Sequence, residues 1–121
     1  MKIAVLIARY LLGLIFVVFG LNGFFQFLPP PEMSGDAGTF IGILVSSNIL
    51  TVVKVLEVAG GALLLLGRVP AGAFLLGPVV VNILLFHTLL EPSGLIMALV
   101  VTLLETILVV AHWDRFKGIF V

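Results

Sequence analysis

Hydrophobic residues make up 62% of the 121-residue chain and charged residues only 10%, far from the roughly 45–50% apolar and about 25% charged mixture of soluble domains. With a mean hydropathy of +1.38 the chain reads as an integral membrane protein. Its apolar runs are continuous, which excludes an outer-membrane barrel with strands alternating at period two, and its zero net charge, with basic residues scattered singly, offers no footprint for nucleic acid.

The start, Met1-Lys2 and then apolar residues, resembles a secretory signal, but the run is too long, Arg9 interrupts it and no A-x-A-like site follows. It is read as a retained first helix over about residues 3–27, long enough at ~1.5 Å per residue to cross a core of ~30 Å. Three prolines at 29–31 end it, and Glu32, Ser34, Gly35 and Asp36 extend a polar loop. Residues 38–45 are apolar but too few to span, which predicts a short interfacial or re-entrant helix capped by Ser34 or Asp36. Ser46-Ser47-Asn48 marks a break, and a second span follows over about 49–66. Gly67-Arg68-Val69-Pro70 is a tight turn, with glycine closing one helix and proline opening the next. The third span covers about 71–90 with Pro78 inside it. Glu91-Pro92-Ser93-Gly94 turns the chain into a fourth span over about 95–113, and the basic, apolar tail suits a membrane surface. The expected fold is therefore all-α: a single domain over 1–121, built as a four-helix transmembrane bundle with the short helix between helices 1 and 2.

Lys2, Arg68, Arg115 and Lys117 fall at one end of this arrangement, whereas Glu32, Asp36 and Glu91 fall at the other. The positive-inside rule places both termini in the cytoplasm and the protein in the inner (plasma) membrane.

Charges inside the spans are expensive and normally turn inward to find partners. By rise from the basic end, Arg9 lies about 10 Å deep, Glu57 and Glu105 about 15 Å, and Lys54 about 20 Å. Two cations and two anions at neighbouring depths predict a charge network, with Arg9–Glu57 and Lys54–Glu105 as the trial pairing. Lys54 and Glu57, three apart, also share a helix face. Nearer the acidic end, Asn22, Gln26, Asn82 and His87 form a candidate ligand pocket, with Lys54 in reach. Asn82 and His87 lie about 140° apart on their helix, so one is expected to brace a neighbour and the other to meet solvent or a ligand. His87 and His112 are about 20 Å apart by the same rise, too far to share a haem iron, so no metal site is expected. Gly13 and Gly20, Gly60 and Gly67, and Ala73 and Gly77 have the spacing of small residues that let helices approach closely in lipid.

Three blocks carry a resemblance. Arg9-Tyr10-Leu11-Leu12-Gly13-Leu14-Ile15-Phe16 with Phe19-Gly20-Leu21-Asn22, Glu57-Val58-Ala59-Gly60-Gly61, and Pro78-Val79-Val80-Val81-Asn82-Ile83-Leu84-Leu85-Phe86-His87 resemble DoxX-like membrane proteins. The resemblance covers the first three spans, and the fourth by hydropathy alone. It implies a four-helix bundle, named after a relative in a quinone-reducing thiosulfate oxidoreductase; other relatives resemble accessory partners of redox proteins or assembly factors. Many relatives have a lysine where this chain has Gly23, so the resemblance also implies a missing cation at the acidic end.

Two functions compete. One is an accessory subunit linked to redox or quinone chemistry, holding a quinone or other apolar ligand; without cysteine or a flavin or haem motif it has no intrinsic cofactor, and a partner redox protein must supply the electrons. The other is a non-enzymatic scaffold or assembly factor for a partner membrane protein. A small transporter is the third reading and would need a homo-oligomer, since four helices leave little room for a path. Whether the chain catalyses anything is left open by the sequence.

Overall fold

Residues 2–27 and 33–119 are described by a computed structural model. Their elements are all helical: α1 (Lys2–Phe25), α2 (Gly35–Ser46), α3 (Ile49–Leu65), α4 (Val69–Leu89), α5 (Leu95–Ala111) and the single turn α6 (Trp113–Phe116), with 3-10 turns at Pro92–Gly94 and Lys117–Ile119. Three stretches, Lys2–Phe25, Val69–Leu89 and Pro92–Ala111, are long and apolar enough to cross a membrane. A fourth is reached only if α2 and α3, bent by 83° at their junction, count as one broken span.

The helix ends follow from local chemistry. α1 stops at Phe25, short of the expected 27, because Gln26 turns left-handed (φ 51°) while its N–H still bonds the Asn22 carbonyl at 2.8 Å. The proline loop and Glu32 fall within 28–32, outside the described residues. α2 starts earlier than expected and is not capped by a side chain: Ser34 has the extended backbone of an N-cap, yet its hydroxyl makes no capping bond. Asp36 instead lies in the first turn, where a negative charge favours the helix dipole. At the junction with α3, Asn48 takes φ 66°, a conformation that asparagine tolerates better than most residues, and the helix direction breaks there.

The α3–α4 turn is a Schellman closure. Gly67 adopts φ +88°, its N–H bonds the Leu64 carbonyl at 3.1 Å, and the Arg68 N–H reaches the Leu63 carbonyl at 2.8 Å. Pro70 then enters α4 where a missing N–H costs nothing.

α1 packs on α3 and α5, and α4 packs on the same two helices, so the four enclose a common interior. Leu12, Phe16, Leu64, Leu76, Val101 and Leu108 fill it. Phe74, Leu89 and Ile96 are among many large apolar side chains left exposed on the outside, the distribution expected when lipid and not water is the surrounding solvent. α2 rests on α3 and reaches α4 through Phe40, whose ring stacks on Phe86 with centroids 5.7 Å apart.

Two adjacent glycines of α3 set the closest approaches. A Cβ on Gly61 would stand 2.7 Å from the Gly13 carbonyl of α1, and one on Gly72 of α4 would stand 2.8 Å from the Gly60 carbonyl. α3 thus meets α1 with one glycine and α4 with the next, backbone against backbone. Gly67, expected both to close the helix and to pack, takes the left-handed conformation of the turn.

Candidate functional site

Arg9 is half-buried on α1, and its guanidinium crosses to the end of α3. Nε donates to the Leu64 carbonyl at 2.7 Å and an Nη to the Leu65 carbonyl at 3.1 Å. Those carbonyls belong to the helix terminus, where a cation is favoured by the macrodipole. Arg9 therefore completes the Schellman closure from a neighbouring helix, and its charge also sits 4.5 Å from the centroid of the Tyr10 ring. Arg9→Met should lower stability in detergent by about 2 kcal/mol, given about 1.5–3 kcal/mol for hydrogen bonds to charged groups. Arg9→Lys should recover only part of this, because an ammonium lacks the fork that serves two carbonyls at once. Thermal melting of the three proteins checks the order; equal melting of Arg9→Met and the native chain would remove the cap.

Lys54 pairs within its own helix. Its Nζ lies 3.1 Å from Glu57 Oε2, and the side chains are 21% and 6% exposed. The pair is one of proximity, since Glu57 Oε2 receives no directed hydrogen bond. The lysine stem reaches the pair by crossing Gly23 of α1, where an added Cβ would stand 2.6 Å from Lys54 Cγ. Gly23 is thus the space that the lysine of α3 occupies.

The trial pairing is corrected: Arg9 bonds α3 carbonyls and not Glu57, and Lys54 bonds Glu57 and not Glu105. Side chains pair with the nearest opposite group their own helix rotation offers, and for Lys54 that is the residue three positions on. Glu105 is left over. It is 7% exposed on α5, neither carboxylate oxygen has a hydrogen-bond partner among the described residues, and Oε2 faces Gly77 of α4, 3.6 Å from where a Cβ would be.

The four residues of the candidate pocket are not gathered around one described cavity. The Asn82 amide donates to the Pro78 carbonyl one turn back at 3.1 Å, and its side chain is exposed. His87 Nδ1–H donates to the Glu91 carbonyl at 3.0 Å, and the ring covers Gly94, so it locks the α4–α5 turn. Its ring also meets Phe86 edge-on with centroids 5.0 Å apart. Gln26 is exposed beyond the end of α1, and Asn22 is half-buried on α1. Among the described residues, no three His, Asp or Glu side chains come together as a metal would require.

Several apolar helices, lipid-grade on the outside, with ionisable side chains turned inward, define a multi-pass membrane protein. The chain belongs to the DoxX family, whose model matches residues 4–88, from the first turn of α1 almost to the end of α4. α5, with Glu105, lies beyond the matched residues. No curated protein and no solved structure matches the chain.

Proposed function

We propose that this protein is an accessory subunit of the inner membrane: a four-helix transmembrane bundle, both termini cytoplasmic, with α2 lying along the opposite interface, that serves a partner membrane protein as scaffold or assembly factor. The observation that carries this reading is where the intramembrane polar groups go. Arg9 and His87 bind backbone carbonyls at a helix end and a turn, Asn82 binds the carbonyl one turn back on its own helix, and Lys54 holds Glu57. These are the uses of a chain whose polar residues fix its shape. The basic residues at the α1 start, the α3–α4 turn and the tail support the orientation.

One observation favours the redox-linked form of this role. The two buried oxygens of Glu105 are acceptors without donors, and leaving such groups unmatched costs about 1–3 kcal/mol or more. A quinol hydroxyl is a donor of the right kind, so the apolar ligand this second reading takes is a quinone held in its reduced form. Purification from native membranes in mild detergent tests both. The scaffold reading expects a partner membrane protein at fixed stoichiometry and no extractable quinone. Quinone that co-purifies with the native chain and is lost in Glu105→Gln would move the assignment to the second reading. A chain that elutes alone, without protein or quinone, would overturn both.

A further inference from the structure

At the basic end, the start of α1 lies against the end of α5, and Lys2, Val5, Leu6, Ala111 and His112 line an open groove of about 490 Å³. Leu6 also belongs to an exposed apolar stripe of α1 that runs past Ile7 and Tyr10 to Leu14. From Lys2 to Leu14 the helix rises ~18 Å at ~1.5 Å per residue, a little more than half of a ~30 Å hydrocarbon core, the depth of one leaflet.

The rim of the groove differs from this stripe. Lys2 is exposed and pairs with no acidic side chain among the described residues. His112 is half-buried, and its Nδ1–H donates to the Leu108 carbonyl at 2.9 Å, which leaves Nε2 as an acceptor for a headgroup hydroxyl. The acid nearest in sequence, Asp114, is within ion-pair distance of Lys117, at 3.5 Å. A cation without an acidic partner among the described residues thus stands at the mouth of the groove, above an exposed apolar face of α1 about as long as one leaflet is deep.

We propose that this groove binds one anionic glycerophospholipid, with the phosphate on Lys2, a headgroup hydroxyl donating to His112 Nε2, and an acyl chain along Leu6 to Leu14. Charge and length select this occupant: a zwitterionic lipid brings its own cation to the rim, and an apolar partner helix leaves Lys2 unmatched. The groove lies at the opposite end of α1 from Asn22 and Gln26, so the lipid leaves the residues of the candidate ligand pocket untouched.

Native mass spectrometry of the full chain, purified and exposed to equimolar phosphatidylglycerol and phosphatidylcholine, tests the site. The native chain should retain phosphatidylglycerol preferentially, at one per chain. Lys2→Gln should reduce that preference about five-fold, the factor that one juxtamembrane cation supplies. Ala111→Phe, a substitution at an exposed position, should fill the groove and reduce retention of both lipids. Lys117→Gln, at the same end but outside the groove, should change neither. Equal retention of the two lipids by the native chain, a loss in Lys117→Gln equal to that in Lys2→Gln, or full retention by Ala111→Phe would each overturn the site.

Discussion

Lys54→Met should lower the stability of the protein by about 3–5 kcal/mol, the usual consequence of removing one partner from a buried ion pair. The loss comes from what remains. Glu57 is only 6% exposed, and without Lys54 its carboxylate has no cation within 4 Å among the described residues. Methionine keeps an unbranched stem of similar reach, so the packing over Gly23 survives and the charge alone is removed. Glu57→Gln should be milder, because Lys54 is 21% exposed and a flexible lysine can carry its ammonium toward the interface once released. The double variant should regain most of the loss, since replacing both charges with neutral groups of similar size is often neutral or stabilising. Unfolding of the four proteins in one lipid–detergent mixture gives the coupling energy directly. Additive losses would show that the two charges act independently and that their pairing contributes nothing to stability.

How much of this was legible beforehand varies with the kind of interaction. The helices of the membrane-spanning stretches were readable because hydropathy is local: an apolar run of sufficient length has few alternatives in lipid. The short α2 was readable from its length and its polar flanks, but not its 83° bend to α3, which depends on the backbone of Asn48. Lys54 and Glu57 were visibly on one face, yet similar depth argued for partners on other helices; proximity along the same helix decided the matter. Arg9 shows the opposite case. Its partners are main-chain carbonyls, which every helix end supplies and no residue type advertises, so only the antiparallel contact of α1 with α3 reveals them. Asn82 and His87 followed the same rule, each satisfied by a carbonyl four residues away. These side chains find backbone oxygens at a helix end, a turn or one turn along their own helix before they find one another. The lipid groove had no sequence signal at all, because it joins residues from the two ends of the chain.

Gly61→Ala should cost about 3 kcal/mol, the upper part of the range for overpacking an interior, although it adds one methyl group to a residue type that gains helix propensity by the change. The reason is what the methyl meets. Its position is 2.7 Å from the Gly13 carbonyl oxygen and 3.0 Å from the Val17 amide nitrogen, both main-chain atoms of α1. A side chain can rotate away from such a contact, but a backbone moves only if the whole helix moves, and α1 is tied to the end of α3 by Arg9. Gly60→Ala makes a useful contrast one residue earlier: its methyl first meets Leu76 Cγ at 2.6 Å, a side-chain atom that can shift, while the Gly72 carbonyl stays 3.3 Å away. It should cost less than Gly61→Ala. Gly42→Ala on α2 meets nothing within 4 Å and should stabilise by up to about 1 kcal/mol, the ordinary gain of alanine over glycine inside a helix. The order of melting temperatures, with Gly42→Ala highest and Gly61→Ala lowest, therefore measures the α1–α3 approach independently of any charge. If Gly61→Ala melted with the native protein, α1 would have to stand farther from α3 than described. Arg9 would then lose its reach to Leu64 and Leu65, and the Lys54 stem would lose the surface of Gly23 beneath it.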